Sequence, residues 1–101
     1  MWEKNPYYNP GNLGLEIVAE LDPHLSYEFD MVVVWKAVES GNLYWAEDAG
    51  CSCPTPFENY NSIEDLHPFN YEEIEKSVKQ RKYGASEGEK QDFLRKVRNL
   101  G

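Results

Sequence analysis

Cys51 and Cys53 stand one residue apart in a chain that holds two histidines, His24 and His67. Two thiolates and two imidazoles are the ligand set of a structural zinc site. The spacing argues against one, because common zinc sites separate paired cysteines by two to four residues. No cofactor is therefore favoured. Zinc held by Cys51, Cys53, His24 and His67 stands as the alternative to plain packing of small buried thiols. A disulfide between Cys51 and Cys53 closes a strained small ring and is disfavoured where thiols stay reduced. A reactive thiolate needs a cation or a helix start beside it. No Lys or Arg lies between Lys36 and Lys76, so catalysis by cysteine is not expected.

The carboxylates Glu47, Asp48, Glu58, Glu64 and Asp65 crowd the same region. A glycosidase-like pair needs two carboxylates in a cleft with separated pKa values. A small sheet with short helices offers little cleft, so these acids read as surface charge. There is no Ser/His/Asp pattern, no Gly-rich phosphate loop, no H-E-x-x-H and no nucleic-acid module. An enzyme is not expected, for want of a convergent polar set. Trp35, Tyr44 and Trp45 read first as core, and second as an aromatic patch for a partner.

These residues surround one stretch, Asp48 to Tyr60, which holds both cysteines and two prolines. Gly50 permits backbone angles that other residues avoid. Pro54 and Pro56 fix φ, remove two donors and push Cys53 and Thr55 into extended conformations. Phe57 and Tyr60 can pin the end of the stretch to the core. A stiff, pinned loop carrying thiols suits either a structural crossover or a binding surface. The partner-binding candidates are Cys51, Ser52, Cys53, Pro54, Thr55, Pro56 and Phe57, with Trp45 on the strand that leads in.

The elements that must position this loop follow from the apolar pattern. Residues 1–14, rich in Asn, Pro, Gly and Tyr, read as an irregular arm anchored by Trp2, Tyr7 and Tyr8. Alternation predicts a strand over Leu15 to Leu21, with Leu15, Ile17, Ala19 and Leu21 on one face. Tyr27 to Val38 is the longest strand, and Met31 to Trp35 is apolar on both faces, as in a central strand covered on both sides. Were only one face covered, Val32 and Val34 would lie in a dimer interface. Gly41-Asn42 marks a tight hairpin before a third strand, Leu43 to Asp48. Ser62 and Asp65 have the spacing of a capped helical turn that Pro68 stops. Asn70 opens a helix that Gly84 ends, and Ser86 opens another carrying Phe93, Leu94, Val97 and Leu100. The expected fold is α+β: a three-stranded antiparallel β-meander followed by two C-terminal helices. The meander spans 15–49, the Cys-Pro loop with its helical turn 50–69, and the helices 70–101.

A chain of 101 residues is expected to form one domain with a modest core. Its seven Tyr, four Phe and three Trp argue against disorder. No apolar run suits a membrane span, and the N-terminus lacks the apolar stretch of a signal peptide, so the cytoplasm is expected. The net charge of -8 conceals an asymmetry. Residues 1–75 hold two basic and fifteen acidic residues, whereas 76–101 hold eight basic and three acidic. Such runs are usually solvated faces. An acidic sheet face also suits a basic partner, and the segment Lys76 to Arg98 suits phosphates.

The string Val32-Val33-Val34-Trp35-Lys36, the Gly-containing hairpin, and then Gly50-Cys51-Ser52-Cys53-Pro54-Thr55-Pro56-Phe57-Glu58 resembles a family of small proteins of actinobacteriophages and their hosts. Tyr8-Asn9-Pro10 and Gly14-Leu15-Glu16 fit the same pattern. The resemblance covers roughly residues 7–66 and leaves out the helices. The family is uncharacterised, so it supplies no activity and no catalytic residues. It implies a phage-type cytoplasmic protein that binds a host protein and blocks or redirects it. Alternatives are a zinc-stabilised module built on the C-x-C pair, and nucleic-acid binding through the basic helices, which is not favoured. A homodimer is a further expectation, through the sheet or the Tyr-rich arm.

Overall fold

The computed structural model describes residues 6–7, 9–21, 28–51, 60, 62–80 and 87–100, without the side chains of 28–30 and 49–51. Its centre is strand β2, Glu28–Ala37. Strand β1, Leu15–Leu21, lies on one side of it, and strand β3, Leu43–Cys51, on the other. A two-residue strand β4, His67–Pro68, pairs with the outer edge of β3. All three pairings are antiparallel, in the order β1-β2-β3-β4. Helices α1, Tyr71–Lys79, and α2, Glu87–Leu100, complete an α+β fold.

The sheet has four strands where the sequence pattern indicates three. Two residues carry no readable alternation, and Pro68 argues against a strand. At an edge, however, a missing N–H faces outward and breaks no ladder. The third strand also runs past Asp48, so Gly50 and Cys51 belong to β3, opposite Phe29 and Glu28.

The single-face reading of β1 is overturned by a β-bulge. Ile17 pairs with Trp35, but Ala19 pairs with Val34, which leaves Val18 as the extra residue. An inserted residue reverses the sense of the alternation. Leu15 and Ile17 therefore pack with Met31, Val33, Trp35 and Ala37, whereas Ala19 and Leu21 pack with Val32 and Val34 on the other face.

Both faces of the central strand are covered, as its apolar run requires. Ile74 and Val78 of α1, with Phe93, Leu94 and Val97 of α2, sit over Val32, Val34 and Trp45. Val32 and Val34 are 0 % exposed, which removes the premise for a dimer through them. Each such buried aliphatic side chain contributes about 1.5–3 kcal/mol. The opposite face is closed by Tyr7, Leu13, Tyr60, Ile63 and Leu66. There the Trp35 Nε1–H donates to the Pro6 carbonyl at 2.9 Å, tying the start of the chain to the central strand.

The connections follow their local chemistry. A 3-10 turn over Pro10–Leu13 ends at Gly14, whose φ of 71° is left-handed and costs glycine little. Gly41 takes the equivalent role in the β2–β3 hairpin, with φ 78°. A second 3-10 turn, Ile63–Asp65, carries the expected Ser62/Asp65 capping box, with the Ser62 N–H donating to Asp65 Oδ2 at 3.1 Å. Asn70 caps α1 by accepting the Glu73 N–H at 3.1 Å. The expected stop at Gly84 and cap at Ser86 lie outside the described residues. Among the described residues no helix is long and apolar enough to cross a membrane.

Candidate functional site

Trp45 and Glu47 are two residues apart on β3, so both point to the helix-covered face. Trp45 pairs with Val34 and with His67, and its ring joins the core beneath α1. Glu47 lies one step beyond the core, where the Ser77 hydroxyl of α1 donates to its Oε2. Ser77 is itself buried, because it falls between Ile74 and Val78 on the inward side of α1. From the outer side of that helix, Glu73, Lys76 and Gln80 reach the same place, and His67 closes it from β4. Together they line an open groove of about 370 Å3.

Trp45 is the unusual member. It is 5 % exposed, yet its Nε1–H meets no acceptor among the described residues. Buried donors are nearly always paired, and an unpaired one costs about 1–3 kcal/mol. The exposed His67 ring lies against the indole, with centroids 5.1 Å apart and planes tilted by 45°. The groove is thus lined by the indole ring, two carboxylates, an ammonium and an amide. That is equipment for hydrogen-bonded recognition. A hydrolytic triad sets an imidazole between the hydroxyl and the carboxylate, whereas Ser77 bonds Glu47 directly.

The residues singled out from sequence divide into three groups. Trp45 and His67 are brought together in this groove. Cys51 ends β3, six residues along from Trp45. Ser52, Cys53, Pro54, Thr55, Pro56, Phe57 and His24 lie outside the described residues. Of the four candidate metal ligands, only His67 and the backbone of Cys51 are described. Six residues of strand put Cys51 about 20 Å from the position paired with His67. Zinc bonds of about 2.0–2.3 Å cannot bridge that span, so the two do not share an ion. Among the described residues no group of three or more His, Cys, Asp or Glu could hold a metal.

Tyr60 marks the far end of the Cys-Pro stretch. Its ring packs in the second cluster, and its hydroxyl donates to the Glu47 carbonyl at 3.4 Å. Burial, reinforced by the negative charges of Asp48, Glu47 and Asp65, raises its pKa above the usual tyrosine value. The basic helices form a separate groove lined by Lys79, Arg95 and Arg98. Acids interleave there: Glu75 lies 3.5 Å from Lys79, and Asp92 lies 3.6 Å from Arg95.

The sequence reading missed Glu47, Ser77, Lys76 and Gln80 as site members. Strand alternation already places Glu47 on the face of Trp45. The convergence with α1 has no local signal, because it depends on how the helix docks.

Comparison with curated proteins and with solved structures finds no match. A family described as Domain of unknown function (DUF7574) does match, over residues 4–100, and so takes in both helices as well as the sheet. With nearly its whole length covered, the chain belongs to that uncharacterised family.

Proposed function

We propose that this chain is a non-enzymatic binding protein that engages a partner protein through the groove between β3, β4 and α1. One observation carries the reading: a core tryptophan whose N–H meets no acceptor among the described residues lines an open groove on which polar side chains from two strands and a helix converge. Tryptophan is favoured at binding hot spots because it combines large apolar area with one polar handle. The actinobacteriophage resemblance makes a host protein in the cytoplasm the natural partner, blocked or redirected by the contact. The Cys-Pro stretch, singled out from its sequence, is a second candidate contact.

The test is affinity capture followed by reconstitution. Wild-type protein, His67→Ala, Gln80→Ala and Lys76→Glu are presented to host lysate, and any captured protein is purified and titrated. A partner whose binding weakens at least about tenfold in groove variants supports the reading, since hot-spot truncations cost about 2 kcal/mol or more. The exposed hairpin variant Val38→Ser serves as a control that should bind normally. Equal binding by all variants removes the groove from the function.

A further inference from the structure

We infer that the groove between α1 and α2 binds the phosphate group of a small soluble phosphomonoester. It shares no residue with the β3–β4–α1 groove. The inference therefore goes beyond the partner-binding reading and stands or falls without it.

Tyr71, Glu75 and Lys79 of α1 face Gln91, Arg95 and Arg98 of α2 across about 220 Å3 of open space. Three cations against one carboxylate leave this lining with two net positive charges. Arg98 is the anchor. Its guanidinium carbon lies 5.8 Å from the centroid of the Tyr71 ring, within cation–π range, which holds the flat group at the groove. Arg98 is exposed, and no carboxylate among the described residues pairs with it. Its N–H donors are open to a ligand, as are the Gln91 amide and the Tyr71 hydroxyl. The other two cations are held loosely. Lys79 lies 3.5 Å from Glu75, and Arg95 lies 3.6 Å from Asp92, which stands outside the groove lining. Ion pairs between exposed side chains are weak and screened, so both cations can turn to a stronger acceptor.

The charge and the size select the ligand. A phosphomonoester carries a charge of about -1.5 to -2 at pH 7 and three terminal oxygens, which match two positive charges and forked guanidinium donors. A carboxylate brings one charge and leaves the other unmatched. A nucleic-acid strand brings one charge per phosphodiester and must run beyond the groove, over a chain whose net charge is -8. The space is smaller than the roughly 300–1,000 Å3 of a drug-sized site, so it suits a phosphate with a small body attached.

The arginine Nε–Hε signals in proton–nitrogen correlation spectra of the full chain test this. Arg95 and Arg98 are assigned by substitution. Methyl phosphate, dimethyl phosphate and acetate are titrated separately at constant ionic strength and about pH 7, where the monoester is mostly dianionic. Methyl phosphate is expected to shift Arg98 and Arg95 saturably. Dimethyl phosphate and acetate should bind at least about fivefold more weakly, the loss of one charge-assisted hydrogen bond at an exposed site. Arg98→Gln should weaken methyl phosphate by a similar factor. Lys36→Gln, the same charge change at an exposed position on β2, should not. No saturable shift overturns the inference, as does equal affinity for all three anions or an equal loss in Lys36→Gln. A phosphoserine peptide, or a single-stranded oligonucleotide without terminal phosphates, that binds more than about tenfold tighter than methyl phosphate overturns the small-molecule assignment.

Discussion

Replacing Trp35 by Phe tests how the start of the chain is held to the sheet. Trp35 is 0 % exposed, on the central strand, and its Nε1–H donates to the Pro6 carbonyl across 29 residues of chain. Phe keeps most of the packing but removes about 40 Å2 of apolar surface, worth about 1 kcal/mol at about 25 cal per Å2. The space left behind adds about 1 kcal/mol more. Pro6 is itself fully buried, so its carbonyl loses a donor that water does not readily replace, at about 1–3 kcal/mol. The expected loss is about 3–5 kcal/mol, a large part of the roughly 5–15 kcal/mol that holds a typical domain together. Urea denaturation followed by circular dichroism measures it. The decisive comparison is a chain lacking residues 1–7. There the carbonyl is absent, and the same substitution should cost about 2 kcal/mol, leaving a coupling of about 1–3 kcal/mol. Costs that agree within about 0.5 kcal/mol in the two chains would refute the tie.

Two further substitutions probe local claims. Asn70→Ala removes the acceptor of the Glu73 N–H at the start of α1. It should lower stability by about 1 kcal/mol in thermal or urea melts, with Asn70→Asp recovering most of it. Tyr60 gives an alkaline signature, because its folded pKa is raised, first by burial and then by Asp48, Glu47 and Asp65. Below about pH 10 the hydroxyl is protonated in both states and stability is unaffected. As pH climbs from there through the raised folded value, the unfolded chain releases the proton first, so stability falls. Tyr60→Phe should flatten this part of the curve relative to wild type, and denaturation midpoints that fall identically in both would rule the assignment out.

Much of the scaffold is legible in the residues themselves. The run Met31 to Trp35 announces a strand covered on both sides, Ser62 and Asp65 announce a capped turn, and Ile74, Val78, Phe93, Leu94 and Val97 announce helices with one buried stripe. What escapes is what depends on a single inserted residue or on distant docking. Leu15, Ile17, Ala19 and Leu21 alternate without fault, so nothing local marks Val18 as the bulge; the twist against β2 decides it. His67-Pro68 is too short for a period, and its strand character exists only because β3 presents an edge to it. The site divides in the same way. Trp45 and His67 are conspicuous as residue types. Ser77 looks like an ordinary helical serine until α1 is laid over Glu47.

Trp35 and Trp45 together give the sharpest discrimination between a structural and a functional tryptophan. They sit on paired strands, Trp35 opposite Tyr44 and Trp45 opposite Val34, and their rings enter opposite cores. One indole N–H is satisfied by a chain segment 29 residues away, and the other has no acceptor among the described residues. If Trp45 served packing alone, Phe would serve about as well. The change loses about 1 kcal/mol of apolar burial and about 1 kcal/mol to the space left behind, but relieves an unpaired donor worth about 1–3 kcal/mol. Trp45→Phe is therefore expected to lie within about 1 kcal/mol of wild type, while Trp35→Phe is severe. The same Trp45→Phe protein should lose partner binding despite its intact fold. A Trp45→Phe variant as damaged as Trp35→Phe would mean that the indole nitrogen is satisfied in the folded chain. The case for a recognition groove would then lose its main support.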